Sequence, residues 1–105
     1  MKEVTVSELK QMQDKHEDFQ LIDVRESHEV EISQIGGDHI PMGDVMDNLN
    51  KISKEKKVII HCRSGARSGA IIQALEMQYG FTNLYNLKGG ILAYADEIDK
   101  NIVKY

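Results

Sequence analysis

The chain reads as an α/β protein: a central, mostly parallel sheet of about five strands, flanked by helices on both faces. Three observations predict this class. Short apolar runs alternate along the chain with segments whose apolar residues recur at helical spacing. The run Val58-Ile59-Ile60-His61 is continuous rather than alternating, which suits a strand covered on both sides. Glycines stand where elements should end, Gly80 after a helical stretch and Gly89-Gly90 after a strand.

Taken in order, Thr5 with Glu8 forms a capping-box pattern ahead of Leu9 and Met12 and predicts a helix from about Val6 to Lys15. Phe19-Gln20-Leu21-Ile22-Asp23-Val24 is a short apolar strand. Ser27 is placed as the N-cap of a brief helix through Ile32, broken by Gly36-Gly37, and His39-Ile40-Pro41 is a short strand stopped by the only proline. Val45, Met46, Leu49 and Ile52 recur at helical spacing between Asp44 and Ile52. After the β-branched run, Ala70, Ile71, Ala74, Leu75 and Tyr79 mark one face of a helix that Gly80 ends. Asn83 to Leu87 is another strand, and Ile91 to Ile98 the last helix. Without repeats, low-complexity tracts or linkers, residues 1–105 are expected to form one domain.

A net charge of −4 removes the basic balance that nucleic-acid and anionic-membrane surfaces need, so neither partner is expected. Local charge is more informative. From Lys56 through Leu75 there is no Asp or Glu, while Lys56, Lys57, Arg63 and Arg67 make a cationic island suited to a small anion. The N-terminus lacks the apolar run of a signal peptide, and no stretch has enough consecutive apolar residues to span a bilayer, so a cytoplasmic location is expected.

Cys62 is the only cysteine and sits where the apolar strand enters the turn Arg63-Ser64-Gly65-Ala66-Arg67 ahead of a helix. Turn amides, the positive end of the helix dipole and two guanidinium groups all favour thiolate over thiol there. A buried structural cysteine is the plain alternative. The polar turn that follows argues against it.

Four stretches carry a resemblance that spans nearly the whole chain. Leu21-Ile22-Asp23-Val24-Arg25-Glu26 and Gly37-Asp38-His39-Ile40-Pro41 come first, His61-Cys62-Arg63-Ser64-Gly65-Ala66-Arg67-Ser68 follows, and Leu87-Lys88-Gly89-Gly90-Ile91-Leu92-Ala93-Tyr94 lies near the C-terminus. In this order and at these separations they resemble the rhodanese-like sulfurtransferases. Two departures stand out: Asp38 where the family often has a small residue, and Tyr94 where tryptophan is common. They bear on substrate preference more than on reaction type.

The resemblance implies a two-step sulfur transfer. Cys62 would attack the sulfane sulfur of thiosulfate, a polysulfide or a persulfide, and then pass it from a Cys62 persulfide to a thiol or to cyanide. The loop residues Arg63, Ser64, Gly65, Ala66, Arg67 and Ser68 would bind the substrate, with amides turned inward and Arg63 and Arg67 orienting the oxyanion end of the donor. The partners implied are a small anionic sulfur donor and a low-molecular-weight or protein thiol acceptor.

Asp23 and Arg25, at i, i+2 spacing on a strand end, would face one side together, as support for the loop or as an ordinary ion pair. His16, His28, His39 and His61 show no recurrent ligand spacing, so no metal and no cofactor are expected. Met12, Met42, Met46 and Met77 are expected to fill core gaps.

Two other functions fit parts of the pattern. The Cys62 loop also resembles that of cysteine phosphatases, but those place five residues between nucleophile and arginine, whereas four separate Cys62 from Arg67. The smaller ring suits one sulfur atom better than a phosphoryl group. A non-catalytic rhodanese-like binding or regulatory module would be expected to lack the nucleophile or carry a broken loop, and this chain has both intact.

Overall fold

A computed structural model describes all residues 1–105. Its sheet contains β1 (Glu3–Val4), β2 (Phe19–Asp23), β3 (Asp38–His39), β4 (Lys57–His61) and β5 (Leu84–Leu87), in the spatial order β1-β5-β4-β2-β3. Every pairing is parallel. Helices α1 (Val6–Asp14), α2 (Ser27–Ile32), α3 (Ala66–Tyr79) and α4 (Gly90–Glu97) connect or follow the strands. This is the α/β architecture expected from the alternation of strand and helix patterns.

β4 lies at the centre, with Val58, Ile59, Ile60 and His61 all buried. Val58 and Ile60 enter one core with Ile22, Val24, Ile71, Ile72 and Leu75, while Ile59, between them, enters the other with Val4, Leu9, Leu21 and Leu87. Register with β2 is fixed along its whole length, from Phe19 opposite Lys57 to Asp23 opposite His61. The pairing runs on past the strand ends, with the Val24 N–H donating to the His61 carbonyl at 3.0 Å. Cys62 is therefore delivered at the carboxyl end of the central strand, where open α/β sheets bind ligands.

The capping box forms as read: the Glu8 N–H donates to the Thr5 hydroxyl at 3.1 Å and the Thr5 N–H to the Glu8 carboxylate at 2.8 Å. β1 was not anticipated; at two residues it carries no periodicity to read. The segment expected to be helical between Asp44 and Ile52 is instead two short 3-10 turns, Met42–Asp47 and Leu49–Lys51. Asn48 separates them. Its side-chain amide donates to the Asp44 carbonyl at 2.7 Å, the acceptor its own N–H would need in a continuing α-helix.

The buried face of α3 is also rotated from the expected one. Ser68, Gly69, Ile71, Ile72 and Leu75 face the sheet, whereas Ala70 and Tyr79 are exposed. Met77 is 86% exposed and fills no core gap. No helix is long and apolar enough to cross a membrane.

Candidate active site

The turn after β4 bends back so that its amides face the sulfur it follows. Gly65 has φ +107, a conformation open to glycine and costly for other residues, and the first turn of α3 starts immediately after it. As a result the Gly65 N–H donates to the Cys62 Sγ at 3.1 Å and the Ser68 N–H reaches it at 3.5 Å. The Ser68 hydroxyl lies 3.4 Å from the same sulfur. On its other side the sulfur belongs to the apolar core with Val24, Ile40 and Val45, and Cys62 is only 1% exposed. Burial pushes the thiol pKa up. The Ser68 hydroxyl and the amides of Ser68, Gly65 and Ser64 outweigh it and hold the pKa below the ordinary value.

The loop is held from beneath by α4. The Ile91 N–H donates to the Cys62 carbonyl at 3.0 Å and the Leu92 N–H to the Arg63 carbonyl at 3.2 Å. Such close approach requires Gly90: a Cβ there would sit 2.5 Å from the Arg63 oxygen and 2.6 Å from the Cys62 oxygen. From β5, Asn86 joins two points of the loop. Its side-chain amide donates to the Gly65 carbonyl at 3.0 Å, and its oxygen lies 2.6 Å from the Ser68 hydroxyl.

The two loop arginines stand in different environments. Arg67 makes a forked pair with Glu29 of α2, at 2.6 and 2.8 Å. Arg67 and the phenol of Tyr105 hold the Glu29 carboxyl far below the usual carboxylate range, against the opposing effect of burial. Arg63 is exposed and pairs with no carboxylate; its guanidinium lies 5.0 Å from the centre of the Tyr105 ring. Ser64 and Ala66 are exposed on the loop.

Asp23 and Arg25 do face one side together, and they face each other. Nε and Nη2 of Arg25 donate to the Asp23 carboxylate, the closest contact being 2.8 Å. Arg25 is fully buried, and its remaining donors go to the carbonyls of Glu29 and Ser33 and to the Tyr105 hydroxyl. The pair reaches the loop through Glu29 and Tyr105, and Asp23 also faces His61, the residue before Cys62.

His61 is wholly buried, with Nε2 3.7 Å from the Asp23 carboxylate and without a hydrogen-bond partner. Burial drives its pKa down, which Asp23 only partly opposes, so the ring is held neutral. Asp38 is turned away from the nucleophile. Its carboxylate accepts from Gln20, whose register partner Val58 lies four residues before Cys62. The roomiest groove, about 610 Å³, lies on that side too, and no loop residue lines it. Tyr94 packs into the core with its hydroxyl donating to Gln13 at 3.0 Å.

Glu29, Asn86 and Tyr105 are the site's partners that motif reading missed. None of the three lies in a motif, and Glu29 and Asn86 are each only 6% exposed.

The fold and the cysteine loop define a rhodanese-like domain, and sequence comparison agrees: that family's pattern matches residues 5–97, so the chain belongs to the rhodanese-like domain family. It is 37% identical over 98 residues to "Putative sulfurtransferase YtwF" of Bacillus subtilis, covering 92% of this chain and 93% of that one. It is 36% identical over 113 residues to the rhodanese-like/PpiC domain-containing protein 12, chloroplastic, of Arabidopsis thaliana, spanning all of this chain but 38% of that longer protein. Among solved structures, a rhodanese-like domain protein from Staphylococcus aureus superimposes with a TM-score of 0.83 at 34% identity, covering 93% of this chain and 95% of that one.

Proposed function

We propose that the protein is a sulfurtransferase that carries sulfane sulfur on Cys62. The observation that carries this reading is the aim of the Gly65 and Ser68 amides at one sulfur atom, in a ring too short to cradle a phosphoryl group. In the first step the Cys62 thiolate attacks the outer sulfur of thiosulfate. The Cys62 S–S bond forms, the donor S–S bond breaks, and sulfite leaves with the bonding pair. In the second step a thiolate acceptor, or cyanide in an assay, attacks the terminal persulfide sulfur and Cys62 departs as thiolate. The amides that stabilise the thiolate also face charge on the persulfide, each donor contributing about 2–4 kcal/mol at the transition state.

Cys62 is only 1% exposed, so loop side chains must move aside before a donor reaches its sulfur. The engagement of Arg67 by Glu29 leaves Arg63 as the mobile cation for an anionic donor. Polysulfides and persulfides present the same sulfane sulfur and enter the same scheme. Cytoplasmic location, where a lone thiol stays reduced, accords with it.

Treatment with thiosulfate followed by intact-mass measurement should add one sulfur atom to the protein and none to Cys62→Ser, with cyanide removing it as thiocyanate. Absence of the added sulfur, or robust hydrolysis of an aryl phosphate by the pure protein, would overturn the reading.

A further inference from the structure

Residues 103–105 run into the charged network of the site, and one side chain touches most of it. The Tyr105 hydroxyl donates to the Glu29 carboxylate at 2.6 Å and accepts from Arg25 Nη1 at 3.0 Å. Its ring lies 5.0 Å from the Arg63 guanidinium carbon, and the Ser33 hydroxyl ties the tail down by donating to the Val103 carbonyl at 3.0 Å. The hydroxyl is thus fixed by two charged partners, which makes the ring a fixed platform. Arg63 has the opposite character. It stacks on that platform, beside Leu92, Asp96 and Lys104 around a shallow cavity, and Asp96 is already paired with Lys104.

We propose that Tyr105 is a specificity-determining residue of the sulfur-transfer site, whose ring holds Arg63 in competition with the anionic end of the donor. This rests on the persulfide reading above. A guanidinium cannot lie over the ring and fork onto an oxyanion at the sulfur with the same freedom, so a donor must draw it off the aromatic face. Weakly held anions are disfavoured, and those that make two hydrogen bonds to the fork are selected. The hydroxyl acts separately, through Glu29, on Arg67.

The two halves of the residue can be tested apart in the full chain with thiosulfate as donor and cyanide as acceptor. Tyr105→Phe removes the hydroxyl and keeps the ring, so its KM is the reference for the ring alone. Relative to Tyr105→Phe, Tyr105→Leu should lower KM for thiosulfate about two- to five-fold, the range of an exposed cation–ring contact. In an Arg63→Ala background Tyr105→Leu and Tyr105→Phe should share one KM, because the coupling partner is gone. A KM in Tyr105→Leu equal to or above that of Tyr105→Phe, in proteins that still melt cooperatively, overturns the proposal, as does a difference between the two that survives in Arg63→Ala.

A second measurement needs no change at Tyr105. In Cys62→Ser, which cannot turn over, titration with thiosulfate well beyond KM should move the Arg63 Nε proton resonance out of the ring's shielding; no movement overturns the proposal. If Cys62 of the unaltered protein gains no sulfur, the function reading fails. If it gains sulfur while Tyr105→Leu and Tyr105→Phe share one KM, only the role of Tyr105 fails.

Discussion

The chemistry of the site turns on where one proton sits. The Ser68 hydroxyl has a single hydrogen and two acceptors within reach, the Cys62 sulfur at 3.4 Å and the Asn86 oxygen at 2.6 Å. The shorter contact claims it when Cys62 is a neutral thiol, and the hydroxyl can rotate toward sulfur as charge develops there. Asn86 therefore sets how strongly Ser68 supports the thiolate, while its own N–H holds the Gly65 carbonyl and so the amide behind it. Replacing Asn86 with Asp keeps an acceptor but loses the donor to Gly65 and introduces negative charge one hydroxyl away from the sulfur. Both effects disfavour thiolate, so in Asn86→Asp the Cys62 pKa should rise. Thiolate absorbance followed against pH checks this; an unchanged or lowered value would place Asn86 outside the electrostatics of the nucleophile.

At the scale of elements, two helix starts converge on the same few residues from opposite sides. α3 aims amides at the sulfur, and α4 uses the amides of Ile91 and Leu92 to fix the carbonyls of Cys62 and Arg63. The second arrangement has no room for a side chain at Gly90, where φ is +59 and the nearest loop oxygen would be 2.5 Å from a Cβ. Gly90→Ala should therefore push the loop off α4, costing about 1–3 kcal/mol by overpacking alone, and should slow persulfide formation per folded molecule. Chemical denaturation alongside loading with thiosulfate measures both; a stable variant with full loading speed would show that α4 does not position the nucleophile. Elements with local signals were legible beforehand: the Thr5–Glu8 box, the β-branched run of β4, and the glycine that turns the loop at 65. β1 and the 3-10 turns were not, because the first is fixed by pairing with β5 and the second by a side chain competing for a backbone acceptor. At the site, Cys62 and its loop could be read because they are contiguous. Glu29 and Tyr105 could not, since Glu29 lies 38 residues before Arg67 and 76 before Tyr105 and meets both only once the sheet has formed.

For the molecule as a whole, the buried charges near the carboxyl ends of the strands make stability depend on pH in one direction. His61 is held neutral by burial, whereas in the unfolded chain it binds a proton below about pH 6.5. Glu29, paired with Arg67, and Asp23, whose cost of burial is outweighed by Arg25, both have lowered pKa values in the folded state. The unfolded chain takes up protons at these carboxylates below roughly pH 4.5, before the native protein does. In each case the unfolded state binds more protons as pH falls, so acid must destabilise the fold. The contribution of the carboxylates is fully present above their unfolded pKa values and is lost as pH drops toward the folded ones. Because the two ranges differ, the loss should come in two stages. A first decline between about pH 6.5 and 5 belongs to His61 and cannot exceed about 1.4 kcal/mol per pH unit, the limit for one proton. A steeper one below about pH 4.5 belongs to Glu29 and Asp23. His61→Gln should flatten the first stage while leaving the second. Urea unfolding at successive pH values reads this directly, and stability that stayed level or rose from pH 7 to pH 5 would mean that His61 carries its proton inside the folded protein.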